Sequence, residues 1–174
     1  MARKHSTSSD DIRDSVGLLI SILIRYPEVG SINYEPTDHL LKFTFMVGRI
    51  IAPDEWLSFR ETVTGCIAAM NFLEQQEAEV ASIDYSTYEG ISMIEVKRDV
   101  TTFRQDELVV ITGVLKESFG QDILAEGDDE HLLEEDLLAQ EELIGHMLEN
   151  VKGAVPDKRL IAFREAGRVL VFNK

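Results

Sequence analysis

The chain lacks the features on which disulfide-stabilised, secreted and membrane-spanning folds depend. Its 174 residues include one cysteine, Cys66, so no disulfide can form within the chain. The apolar stretch Val16–Ile24 is interrupted by Gly17 and Ser21 and is far shorter than the about 20 residues of a membrane span. No apolar run precedes Asp10, as a signal peptide would require. These absences predict a soluble protein of a reducing, bacterial-type cytoplasm.

Positive charge is also scarce. The sequence has 17 Lys and Arg against 32 Asp and Glu, a formal net charge of −15. A nucleic-acid partner requires clustered Lys and Arg that displace counterions from phosphates, and anionic membrane surfaces attract basic segments in the same way. The charge balance therefore argues against nucleic acid and against a membrane as the main partner.

Motifs of catalysis and nucleotide binding are missing as well. The sequence contains no glycine-rich phosphate loop, no dinucleotide fingerprint, no nucleophile elbow and no H-E-x-x-H zinc motif. Cys66 lies beside the apolar stripe of a predicted helix, which is typical of a small core residue. His39 follows Asp38 in a predicted turn, where a solvated side chain is the simpler interpretation. The absence of these motifs favours a protein that is not an enzyme, with an enzyme as the weaker alternative, and we predict no cofactor.

A nearly repeated heptapeptide is the most distinctive feature that is present. EVGSINY occupies residues 28–34 and EVASIDY occupies residues 79–85, with only a Gly/Ala and an Asn/Asp exchange between them. In a strand, the Ile and Tyr of each copy point to one face, and the Ser and Asn or Asp point to the other. Each copy follows a predicted helix and begins a predicted hairpin. The similarity indicates either a duplicated helix–strand–strand unit or two hairpins in similar environments.

Periodicity predicts the elements around the two copies. A helix before the first copy ends at Tyr26, because the residue before a proline avoids the helical region. Alternating residues over 40–47 predict the second strand of the first hairpin. Pro53 suits the first turn of a second helix, which we expect to run to about Glu79. A strand that ends near Arg98 completes the second hairpin.

The C-terminal part follows a similar pattern. Residues 103–119 predict a helix that stops at Gly120. The β-branched residues in 107–112 make a strand over that stretch the alternative. A further helix is predicted over 129–152. Two strands joined at residues 165–167 close the chain.

These elements predict an α+β fold in which antiparallel hairpins form a sheet with helices packed on it. We expect a flexible N-terminus over residues 1–10 and two helix–strand–strand units over 11–100. Residues 101–174 supply a helical segment and a C-terminal hairpin. The length fits one integrated domain.

An acidic segment offers possible metal ligands. Residues 117–151 include twelve acidic residues and no Lys or Arg. On a helix, His131, Glu135, Glu142 and His146 share one face, and each His–Glu pair has the i, i+4 spacing that can hold a divalent ion such as zinc. The pairs are centred eleven residues apart, about 16 Å along a helix, so they cannot form one site alone. A solvated acidic face is the simpler interpretation, and a divalent metal site is the alternative.

Two further sets of residues suggest an interface. Asp136 and Gln140 fall inside the apolar arc of the same predicted helix, as at a core edge or a subunit contact. Residues 153–174 carry five basic and two acidic side chains. We expect Arg164 and Arg168 of this segment to dock on acidic surface, within the chain or across a subunit contact. A homo-oligomer, most simply a dimer, or another protein partner is therefore predicted.

Two classes of function follow. The first is a non-enzymatic module for protein–protein interaction or assembly. The alternative is a small-ligand or metal-responsive binding protein that uses the acidic segment 122–149 or a pocket between the repeated units.

Overall fold

The structure, a computed structural model, describes residues 4–125, 134–153 and 158–173, with side chains from residue 13 onward and, in the last helix, from residue 135. The helices are α1 (Lys4–Arg25), α2 (Pro53–Leu73), α3 (Gln105–Phe119) and α4 (Glu134–Lys152). The strands are β1 (Val29–Glu35), β2 (Leu40–Val47), β3 (Ala81–Tyr88), β4 (Ile91–Asp99), β5 (Leu160–Glu165) and β6 (Arg168–Asn173).

The six strands form one antiparallel sheet in the order β3-β4-β2-β1-β5-β6. Helix α1 contacts β1, β5 and β6 and packs along α4, whereas α2 contacts β3 and packs against α3. A single buried cluster draws on all four helices, with Leu19, Phe59, Leu108 and Leu148 as examples. The predicted α+β architecture of hairpins under a helical layer is therefore confirmed.

The spacing of apolar residues in α3 decides between the helix and the strand that were predicted for this segment. Its buried residues Leu108, Ile111, Leu115 and Phe119 recur at intervals of three and four, which places them on one helical face. Gly120 ends the helix with a φ of 49°. The segment is a helix, and the alternative strand is not formed.

Helix α2 ends six residues before the predicted Glu79. Gln75 takes a φ of 58°, and the N–H groups of Gln75 and Gln76 donate to the carbonyls of Phe72 and Asn71. This is the Schellman arrangement that ends many helices. The prediction was wrong because glycine usually marks this position and here glutamine occupies it.

The strand registers place the two heptapeptides about a local two-fold axis. Phe43 of β2 lies opposite Val96 of β4. Ile32 lies beside Phe43 on the outer side, and Ile83 lies beside Val96. The four side chains form one row across the sheet with the two isoleucines at its ends. The copies thus occupy equivalent positions, and a duplicated unit stays a prediction.

The same axis relates the two tyrosines of the repeat. Tyr34 stands in a row with Leu41 and Arg98, and Tyr85 stands in a row with Ile94 and Phe45. Arg98 therefore holds the position that Phe45 holds on the other side of the axis.

Candidate interaction surface

Arg98 is the centre of a buried ionic cluster. Its side chain is 0% exposed. Its Nε donates to Glu107 Oε1 at 2.7 Å and its Nη2 to Glu107 Oε2 at 3.0 Å, the bidentate geometry that suits a guanidinium and a carboxylate. Nη1 donates to the carbonyl of Val80 at 2.6 Å and to Asp99 Oδ1 at 2.7 Å. The ion pair between Arg98 and Glu107 joins β4 to the start of α3.

Asp99 adds a second carboxylate to this cluster. Burial by itself raises the pKa of the Asp99 carboxyl. The Thr102 hydroxyl and the N–H groups of Val80 and Thr102 donate hydrogen bonds to this carboxylate. These hydrogen bonds outweigh burial, so the pKa of Asp99 lies below its ordinary value. Asp99 is thus stabilised in its ionised form by contacts inside the chain.

The cluster also fixes the meeting point of α2 and α3. Glu107 Oε2 accepts from the N–H of Arg104, which closes a capping interaction at the start of α3, and from Asn71 Nδ2 near the end of α2. No buried polar atom of Arg98, Asp99 or Glu107 lacks a partner among the described residues. The cluster therefore has a structural role, which is to hold β4, α2 and α3 together. No group in it remains available for chemistry on a ligand.

A polar cleft of about 400 Å³ lies between the end of α2, the start of α3 and α4. Its cations are already paired. Arg104 contacts Glu74 at 3.0 Å and Asp106 at 2.9 Å, and Lys152 contacts Glu149 at 3.3 Å. The cleft presents paired charges to an anionic ligand, which weakens it as a binding site.

The predicted metal ligands are only partly placed by the structure. Glu135, Glu142 and His146 lie on the exposed face of α4, and His131 lies outside the described residues. Within residues 13–125, 135–153 and 158–173, no three His, Cys, Asp or Glu side chains come together as a metal site. The metal hypothesis stays a prediction.

The apolar arc of α4 is mainly core. Ile144, Leu148 and Val151 are buried, and α4 packs along α1. Asp136 is exposed at the side of this arc, and Gln140 is half-buried with an Oε1 atom that has no hydrogen-bond partner among the described residues. The predicted interface role of these two residues stays a prediction. Among the described residues of the arc, Ile144, Leu148 and Val151 are covered by the core, whereas Leu143 is 52% exposed.

Arg164 and Arg168 have different surroundings. The Arg164 guanidinium is half-buried and donates to the carbonyls of Leu23 and Tyr26 at the end of α1, and to those of Pro27 and Val29 beyond it. It satisfies carbonyls that the helix end leaves free. Arg168 is exposed and makes no ion pair within the described part of the chain. The alternation of residues in β5 could have predicted the partial burial of Arg164, since it places Arg164 on the same face as the buried Leu160 and Ala162.

The face of the sheet that points away from the helices carries an apolar patch at β5 and β6. Ile161 lies opposite Phe172, and Phe163 lies opposite Leu170. The rings of Phe163 and Phe172 stack with centroids 5.6 Å apart, and Phe172 is 50% exposed. We call these four residues the hairpin face. On the adjoining strand β1 the same side of the sheet continues as Ser31 and Asn33, which alternate with the buried Ile32.

A second apolar surface lies at the end of α2. Phe72 and Leu73 are 79% and 78% exposed, and they border a shallow depression of about 620 Å³ together with Gln75, Gln76 and Glu77. Glu74 and Glu77 are exposed beside them. We call Phe72, Leu73, Glu74 and Glu77 the α2 tip. Sequence periodicity missed it because the predicted helix continued beyond these residues.

No protein family, curated protein or solved structure matches this chain. Within the parts of the chain that the structure describes, no helix combines the length and apolar character needed to cross a bilayer. The functional conclusion therefore rests on the geometry of the chain itself.

Proposed function

We propose that this protein is a non-enzymatic interaction module that binds another protein chain through the hairpin face. The observation that carries the proposal is the stacked, partly exposed pair Phe163 and Phe172, flanked by Ile161 and Leu170, on a sheet surface that no helix of the described chain covers. Contiguous exposed apolar surface marks interaction sites, and aromatic residues are enriched at their centres.

The position of β6 supports the same proposal. β6 is an edge strand, and its six residues, RVLVFN, include one charge and no proline. Edge strands that should stay unpaired usually carry charges, prolines or bulges. A protein chain can therefore reach the hairpin face and the free strand edge together, as in strand-addition complexes.

The polar sites favour this proposal over catalysis. The Arg98 cluster uses its donors and acceptors within the chain, and the cations of the polar cleft are paired. An enzyme site usually holds polar groups that converge on a reacting molecule. The hairpin face instead has the composition of a protein-binding surface.

A photo-crosslinking residue at Glu165 tests the proposal in cells that make the protein. Glu165 is exposed at the end of β5, on the same side of the sheet as Phe163, so the four side chains of the hairpin face stay intact. The matched control is Asp84, which is exposed on the edge strand β3. We expect protein adducts of discrete mass from position 165 and none from position 84. Equal adduct yields at both positions would contradict the proposal.

The alternative function is a metal-responsive protein that uses His131, Glu135, Glu142 and His146. It depends on ligands that the described residues do not bring together. Native mass spectrometry with metal analysis tests it directly. A stoichiometric divalent ion that is lost on replacing His146 by alanine would establish this alternative.

A further inference from the structure

We infer that the partner of the hairpin face is the α2 tip of a second copy of this chain. The inference rests on the proposed function, since it names the protein that the hairpin face binds. It joins two different surfaces, so each copy offers one of each and the contact is head-to-tail.

The two surfaces differ in shape in a way that suits a mutual contact. The α2 tip projects Phe72 and Leu73 from the end of a helix, and both are more than three-quarters exposed. The hairpin face is a sheet surface with a stacked aromatic pair. Aromatic side chains that become buried between two partners often form the centre of a protein interface.

Charge explains why two different surfaces should meet. Residues 1–152 carry 12 basic and 30 acidic side chains, whereas residues 153–174 carry five basic and two acidic ones. Two copies repel each other over most of their surface. A contact between two hairpin faces would bring the Arg168 side chains of the two molecules together. A contact between two α2 tips would bring their Glu74 and Glu77 side chains together. The mixed contact instead places Arg168 close to the carboxylates of the α2 tip.

The charged groups needed for this contact are available. Arg159 is paired with Glu35 at 2.9 Å, and Arg164 holds the carbonyls at the end of α1. Lys158 and Arg168 are exposed and make no ion pair within the described residues. They are the cations that remain for Glu77 of the α2 tip, since Glu74 already contacts Arg104 at 3.0 Å. Exposed pairs contribute little to affinity, so they orient the contact while the apolar side chains hold it.

The contact cannot form within one chain. The α2 tip lies in the helical layer over the β3 side of the sheet. The hairpin face lies at the opposite end of the strand order and on the other side of the sheet, because its residues alternate with the buried Leu160 and Ala162. The acidic tip that meets the hairpin face must therefore belong to another molecule.

Complementation between two variants tests the inference by sedimentation velocity. Phe72→Glu destroys the α2 tip, and Phe172→Glu destroys the hairpin face. Tyr88→Glu is the matched control, since Tyr88 is an aromatic residue 70% exposed at the β3–β4 turn. The wild type and Tyr88→Glu should form assemblies that grow with concentration. Each of the other two variants should raise the dissociation constant more than about tenfold, as expected for loss of an interface aromatic, and sediment as a monomer.

The equimolar mixture gives the decisive result. The intact hairpin face of Phe72→Glu can bind the intact α2 tip of Phe172→Glu, so the mixture should contain 1:1 dimers and nothing larger. Circular dichroism checks that each variant is folded. Leu73→Glu and Leu170→Glu provide the same two disruptions if a phenylalanine variant fails to fold.

The remaining outcomes overturn the inference in distinguishable ways. A monomeric wild type, or a mixture that stays monomeric, overturns it and leaves the proposed function to the crosslinking at Glu165. Loss of assembly in Phe172→Glu but not in Phe72→Glu also overturns it, while the hairpin face remains a protein-binding surface. Assembly that neither variant affects overturns the inference as well, and the crosslinking at Glu165 then decides the proposed function alone.

Discussion

The two sides of the local axis between β2 and β4 place opposite chemistry at equivalent positions. On one side Phe45 stands in a row with Ile94 and Tyr85, and Trp56 packs on the Tyr85 ring with centroids 4.4 Å apart. On the other side Arg98 takes the place of Phe45. The same buried position in the sheet can therefore hold either Phe45, among apolar neighbours, or Arg98. A buried guanidinium such as that of Arg98 is stable there because hydrogen-bond acceptors surround it.

The two tyrosines of the repeated heptapeptide show a second difference. Tyr34 is 1% exposed in β1, which has β2 on one side and β5 on the other. Tyr85 is half-buried in β3, which is an edge strand. The residues are the same, so the difference in burial comes from the position of the strand in the sheet.

The largest expected effect comes from breaking the ionic side of the axis. Glu107→Leu leaves the buried Arg98 without its bidentate partner and should destabilise the fold by about 3–5 kcal/mol. Phe45→Met at the equivalent position nearly conserves volume and should cost less than about 1.5 kcal/mol. Denaturant unfolding of both variants checks the contrast. Equal losses would show that the ionic cluster is not specially dependent on Glu107.

The double variant Arg98→Leu with Glu107→Leu sharpens this comparison. Removing both charges avoids the unpaired buried guanidinium, and Asp99 keeps its hydrogen bonds from Val80 and Thr102. The double variant should therefore be more stable than Glu107→Leu alone. The same unfolding measurement decides the point. A double variant that is less stable than Glu107→Leu would mean that the hydrogen bonds from Arg98 to Val80 and Thr102 dominate.

The tyrosine pair should give the next largest difference. Tyr34→Ala removes a fully buried ring and should cost about 3–5 kcal/mol, by analogy with other aromatic truncations. Tyr85→Ala removes a half-buried ring and should cost about 1.5–3 kcal/mol. Unfolding curves for the two variants test whether sheet position sets the cost, and similar losses for both would refute that explanation.

The third hairpin has no counterpart across the axis, and Arg164 ties it to α1. Arg164→Met removes charge-assisted hydrogen bonds to the carbonyls at the helix end and should cost about 1–3 kcal/mol. Arg168→Met, on the same hairpin but exposed, should stay within about 0.5 kcal/mol of the wild type. Thermal unfolding measures both. A neutral Arg164→Met would show that water replaces the guanidinium at no cost.

The smallest effect should appear in acid. The pKa of Asp99 is lowered from its model-compound value of 3.8 by its hydrogen bonds, against the opposing effect of burial. Its carboxylate therefore stabilises the fold fully above about pH 4, and this contribution is lost as the pH falls through the lower folded pKa. Asp99→Asn should flatten the stability profile in that window. The exposed Asp84→Asn is the control, and identical profiles for the two variants would contradict the assignment.

Much of the fold could be predicted from local pattern. Alternation over 40–47 and the apolar spacing of 105–119 depend on neighbours within a few residues, as does the stop before Pro27. The candidate site was harder. β6 reads apolar on both faces, with Val169 and Val171 on one and Leu170 and Phe172 on the other, so alternation alone could not tell which side stays uncovered. The exposure of Phe72 was missed because no glycine marked the end of α2.

By itself, the sequence determined the hairpins, most helix boundaries, the acidic charge and the basic C-terminal segment, because these depend on residues close together in the chain. Only the tertiary structure decided the strand order, the burial of Arg98 and the attachment of Arg164 to carbonyls more than 130 residues away. It also decided which side of the last hairpin remains open. Such partners are distant in sequence and are selected by the packing of the whole chain, since a buried charge is stable only where the fold brings every one of its partners within reach.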